Sequence, residues 1–215
     1  MFFPYKDDNP RVLFPFITYT LITINILVFL TFTYFSFLTS NINWFYTFGF
    51  IPDSFNLLTI LSSMFIHNGL GHILSNMWFL YIFGDNIESI LGHIKFLLFY
   101  ILCGFGAALA QYIIDPNSSI PMVGASGAIA GVLGAYMISF PKAKVHVFAF
   151  IIIFITTLIV PAQIVLGVWF FIQLSSGLNS LGIDTNGGVA WFAHIGGFIA
   201  GVGSIKYIQN YKIET

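Results

Sequence analysis

The chain has 215 residues, of which 58% are hydrophobic, 19% aromatic and 7% charged, with a formal net charge of −1. Charged residues usually make up about a quarter of a globular chain, so this composition excludes a water-soluble domain and points to a polytopic membrane protein. It also argues against nucleic-acid binding, which calls for a clustered basic face.

The N-terminal MFFPYKDDNPRVLFPFITYT puts charges and prolines first. The apolar stretch after Arg11 is too long for a signal core and lacks an A-x-A-like exit, so it reads as an uncleaved first span. Hydropathy predicts six helices, at roughly 13–36, 72–92, 96–115, 124–141, 145–174 and 188–208, each near the ~20 residues a bilayer core requires. The connection between the first two, about residues 37–71, is long and apolar. Its Trp44, Phe45, Tyr46, Phe48 and Phe50 resemble an aromatic belt, which predicts short helices lying partly in the outer leaflet. Cys103 sits in an apolar run as an ordinary buried thiol. The fourth span is the shortest and the richest in Gly and Ala, as suits a helix surrounded by protein. The fifth carries Pro161, and a kink or tilt is expected there. No repeat or linker marks a second domain, so residues 1–215 read as a single membrane domain.

The seven basic residues of the sequence orient these spans. Lys6, Arg11, Lys95, Lys142, Lys144, Lys206 and Lys212 all fall on one side, which the positive-inside rule makes cytoplasmic. Both termini are then inside, and the connections after spans 1, 3 and 5 face out. The pattern suits a plasma membrane.

Polar residues inside spans are costly and usually face the bundle interior or a wet cavity. His72 and Asn76 are one helical turn apart, on one face and about 6 Å apart along the axis. His67 precedes them near the outer start of span 2. His194 lies about 9 Å into span 6 from its outer end. Ser126 opens span 4 in PMVGASGAIAGVLGAY. Each has an ordinary reading: Ser126 as a packing residue beside the Gly127/Gly131 G-x-x-x-G pair, Asn76 as interhelical glue, His72 as an interfacial anchor, His194 as a satisfied core histidine. Together they converge on one shallow layer, which independent packing residues need not do.

That layer suits nucleophilic catalysis. A serine hydroxyl needs a base to take its proton, and neutral histidine is the usual one. Attack on a carbonyl creates an oxyanion, for which the Asn76 amide, the His72 ring and the Ser126 backbone N–H are candidate donors. Gly124 and Gly127 leave room for a substrate backbone. His93 and His146 fall on the inner side, away from this group. There is no H-E-x-x-H, and the five histidines form no defensible metal cluster.

These residues resemble the rhomboid family of intramembrane serine proteases. The resemblance rests on Gly124-Ala125-Ser126-Gly127, on His67, His72 and Asn76 in an H-x4-H-x3-N arrangement, and on Ala193-His194 followed by Gly197 and Gly201. FGDNIE, from Phe83 to Glu88, is similar to the family's cytoplasmic-side segment after the second span. The resemblance implies a six-helix all-α bundle and a Ser126–His194 dyad with no third acid. It further implies an oxyanion hole from His72, Asn76 and the Ser126 N–H, a supporting His67 and a structural Glu88. The implied reaction is peptide-bond hydrolysis in membrane-anchored protein substrates near the outer face, with small residues at the scissile site and no metal or organic cofactor. Two positions depart from the family pattern. Leu58-Thr59 replace a Trp-Arg pair of the first loop, and Ala130 stands where some members stack an aromatic ring on the catalytic histidine, so another contact must hold the His194 ring.

Loop 5, SSGLNSLGIDTNGG, reads either as a mobile cap over the site or as a solvated connector. Trp169, Phe170 and Phe171 read as a lateral gate or as lipid-facing belt residues. The other readings of the whole chain are a non-catalytic relative that binds membrane helices, against which Ser126 and His194 count, and a small transporter, for which no mid-depth charge or pair of broken helices is evident.

Overall fold

The computed structural model describes residues 2–38, 43–151, 154–181 and 189–209. In chain order they form strand β1 (Phe2–Asp7), helix α1 (Phe16–Leu38), short helices α2 (Trp44–Phe48) and α3 (Leu57–Ser63), and helices α4 (Leu70–Leu91), α5 (His93–Ile114) and α6 (Ser126–Ser139). Strands β2 (Lys144–Ile151) and β3 (Phe154–Pro161) then precede helices α7 (Ala162–Ser180) and α8 (Trp191–Ile208). Three helices, α1, α5 and α7, are long and apolar enough to cross a bilayer, and α6 is a shorter apolar helix.

At the centre is α6, whose residues from Gly127 to Tyr136 are all buried. Its small side chains allow this. A Cβ added at Gly197 or Gly201 of α8 would meet the carbonyls of Gly127 and Gly131, and one at Gly131 would meet Cys103 of α5. Backbone therefore packs against backbone where α6 crosses α8, as small-residue interfaces permit.

The charged residues of the second half of α4 fasten the opposite end. Glu88, fully buried, accepts hydrogen bonds from the Ile17 and Thr18 N–H groups and from the Thr18 hydroxyl at 2.8, 2.8 and 2.6 Å. These are first-turn donors of α1, so the carboxylate caps that helix at the positive end of its dipole. Glu88 also holds the His93 ring at 2.5 Å, and Asp85 pairs with Arg11 at 2.7 Å.

The expected all-α bundle needs one correction. The segment 145–174 is not a single kinked helix: β1, β2 and β3 form an antiparallel three-stranded sheet in that order, with Phe3 opposite Phe148 and Val147 opposite Leu158. Pro161 ends β3 and immediately precedes α7, a position where its missing N–H costs nothing. The sheet faces α4, where the Phe3 ring stacks on Trp78 at 6.0 Å and the Trp78 indole N–H donates to the Pro4 carbonyl at 2.9 Å.

Candidate active site

The site forms where α4, α6 and α8 all begin. Gly124, with φ +116°, turns the chain into α6, and its N–H donates to the Ser63 carbonyl at 2.9 Å. A Cβ here would come within 2.6 Å of His72 Nε2, so both the backbone angle and the space call for glycine. The next N–H, of Ala125, donates to His67 Nε2 at 3.4 Å. His67, 5% exposed, thus holds the turn that presents Ser126. Two hydrogen bonds between Phe50 and Met122, 3.0 and 2.7 Å long, fasten the segment before α3 to the strand-like approach to α6.

Ser126 is the first residue of α6, so its side chain and its N–H both lie at the helix mouth. Its Oγ is 2.8 Å from His194 Nε2 of α8. The other ring nitrogen, Nδ1, is 2.7 Å from Gln173 Oε1 of α7. Trp169 lies tilted at 5.9 Å between centroids from the His194 ring, and Trp191 meets it edge-on at 6.3 Å. These three side chains hold the ring where Ala130 has no aromatic to offer.

Across the cavity stand His72 and Asn76. The Asn68 N–H donates to His72 Nδ1 at 3.3 Å, which leaves Nε2 carrying the ring's proton and facing Gly124. Asn76 is buried, and its Nδ2 has no hydrogen-bond partner. A buried amide donor left free is costly, and this one lines the cavity. The cavity, about 1220 Å³, is bounded by Ser126, His194, His72, Asn76 and Trp169, with the 117–123 segment along one wall.

Ser126, His194, His72, Asn76, Gly124 and His67 thus meet at one place. Gly127 also lines the cavity, at the edge of the packed α6–α8 seam, whereas Gly197 and Gly201 lie within that seam. His93 and His146 pair with Glu88 and Asp8, away from this group. Of the aromatic trio on α7, Trp169 and Phe170 both stack on Phe198, and only Phe171, 67% exposed, faces outward. Residues 175–180 of the expected loop 5 are the C-terminal turns of α7 and not a loop, and residues 182–188 lie outside the described residues. Gln173 is the site residue that sequence reasoning misses. An amide in the apolar run VWFFIQL is a signal of the same kind as His72 or Asn76, a polar group at membrane depth that needs a partner.

A bundle of apolar helices enclosing a serine–histidine pair beside an unpaired amide donor defines a membrane protein with an enzyme-like interior site. Residues 54–210 match the Rhomboid domain family, and the chain belongs to that family. It is 33% identical over 143 residues to RHOMBOID-like protein 4 of Arabidopsis thaliana, a match covering 66% of this chain and 32% of that one. It is 30% identical over 150 residues to the mitochondrial Rhomboid protein 1 of Saccharomyces cerevisiae, covering 67% and 40%. With Rhomboid protease GluP of Bacillus subtilis it shares 30% identity over 143 residues, 66% and 24% of the two chains. The matched region therefore spans well under half the length of these relatives. The protein is an integral membrane protein of a family that includes intramembrane proteases.

Proposed function

We propose that this protein is an intramembrane serine endopeptidase that hydrolyses peptide bonds in or near transmembrane segments of other membrane proteins. The observation that carries the reading is the 2.8 Å approach of Ser126 Oγ to His194 Nε2 at the edge of a polar-lined cavity. In this reaction His194 Nε2 takes the hydroxyl proton as Oγ attacks the scissile carbonyl carbon. The carbonyl oxygen, now negative, is met by the Asn76 amide, the His72 Nε2–H and the Ser126 N–H. His194 then returns its proton to the departing amine, and water releases the acyl group by the same steps in reverse.

The membrane setting follows from helix length. All six long helices, α1 and α4 to α8, cross the bilayer in this reading. With 14 residues, α6 is about 21 Å long, some 9 Å short of a ~30 Å hydrocarbon core. If its far end meets the inner face, Ser126 lies sunk below the outer one. The inner assignment rests on the basic residues: Arg11 and Lys95 contact the ends of α4 and α8 remote from Ser126. Both termini are then cytoplasmic, and α2 and α3 lie at the outer face beside the cavity.

The test is labelling of the purified protein with a serine-reactive fluorophosphonate, together with cleavage of a transmembrane substrate in proteoliposomes. Wild type is expected to label and cleave, and Ser126→Ala and His194→Ala to do neither. Labelling that persists in Ser126→Ala overturns the assignment.

A further inference from the structure

We infer that Gln173 is a positioning residue that fixes the tautomer of His194, an inference that rests on the Ser126–His194 reading above. A histidine can serve as base toward Ser126 only if Nε2 carries a lone pair, and hence only if the ring proton sits on Nδ1. Nothing in Ser126 enforces this, because a hydroxyl both donates and accepts. The partner of Nδ1 decides. That partner is the Gln173 amide oxygen at 2.7 Å, which can only accept. Gln173 is 5% exposed, so water does not compete for the ring nitrogen on that side.

The arrangement fills the role of the acid in a serine triad without a buried charge. A carboxylate at membrane depth would need its own compensation, whereas an amide accepts the Nδ1 proton as a neutral group. Gln173 and Trp169 are four residues apart on α7, so they share a face. Trp169 tilts over the ring while Gln173 holds its edge. The groups facing His194 from the packed elements are Ser126 of α6 and Gln173 and Trp169 of α7. His72 of α4 is the titratable neighbour across the shared cavity.

Two variants separate the oxygen from the bulk of the side chain. Gln173→Met keeps the size and removes the acceptor. Gln173→Glu keeps the acceptor and cannot present an N–H. The expected result is a fall in kcat of roughly 10- to 100-fold for Gln173→Met with KM unchanged, the scale of losing a histidine's outer partner. Gln173→Glu should retain activity within several-fold, with the acidic limb of kcat/KM moved to higher pH because a carboxylate beside Nδ1 favours the imidazolium. His72 is common to wild type and both variants, so the limb shift reports residue 173. Equal loss in both variants, or no loss in Gln173→Met, overturns the inference. A separate readout requires no catalysis: 15N NMR of histidine-labelled wild type should show His194 protonated on Nδ1, and an Nε2–H form overturns the inference even if the dyad stands. Should Ser126→Ala still cleave, the protease reading fails instead, and the 15N spectrum still decides which ring nitrogen of His194 carries the proton.

Discussion

Substituting Gly197 by alanine tests whether the α6–α8 seam sets the catalytic distance. A Cβ at this position falls well inside 3.0 Å of the Gly127 carbonyl, and backbone cannot rotate aside as a side chain can. Restoring ordinary contact separates the helices by about 1 Å or more. Ser126 lies beside Gly127 on one helix and His194 three residues before Gly197 on the other, so the 2.8 Å contact opens toward about 4 Å, past hydrogen-bonding reach. A misplacement of that size costs on the order of 100-fold in rate, and overpacking costs about 1–3 kcal/mol in stability. The control is Gly203→Ala on the same helix, where an added Cβ meets nothing within 4 Å. Initial rates of substrate cleavage in proteoliposomes and thermal unfolding in detergent measure both quantities. If Gly197→Ala cleaves within twofold of Gly203→Ala, the seam does not set the distance and the reasoning fails.

Three further outcomes are expected. Asn76→Ala should lower kcat by roughly 10- to 1000-fold with the fold retained, since it deletes one donor to the oxyanion; unchanged single-turnover rates would remove Asn76 from that role. Glu88→Ala should destabilise by about 2–5 kcal/mol, because two first-turn N–H groups of α1 lose a buried acceptor, and chemical denaturation would register it. Asp7 gives a pH dependence: burial, opposed by the Tyr136 hydroxyl at 2.5 Å and reinforced by Asp85, raises its carboxyl to about 6 from 3.8. The folded state thus binds a proton between about pH 6 and pH 4 that the unfolded state does not. Relative to Asp7→Asn, the wild-type melting temperature should rise as pH falls through that window, and parallel curves would refute it.

The sequence was most legible at its intramembrane polar residues. His72 and Asn76 one turn apart, and Ser126 and His194 at helix starts, were readable because polar groups at membrane depth need a reason. The long helices were readable by length and hydropathy. The sheet was not. KVHVFAFIIIFITTLIVP is a continuous apolar run, and hydropathy alone does not separate a buried strand from a span in such a run. Its β-branched residues, among them Val145, Val147, Thr156, Thr157 and Val160, carried the distinction, and Pro161 marked where the helix begins rather than where it bends. The Gln173 contact was hidden for a different reason: the partner of Nδ1 is 21 residues away on a neighbouring helix, and no local pattern announces that distance.

The sheet also sets a sequence of events. Its first strand pairs with one that follows more than a hundred residues later, Phe3 against Phe148. Emerging from a ribosome in order, that strand waits unmatched while helices α1 to α6 are delivered, and a contact so remote along the chain closes slowly. Assembly of the sheet is therefore a late act, and a protease or chaperone meeting the nascent protein finds the strand Phe2–Asp7 still unclaimed.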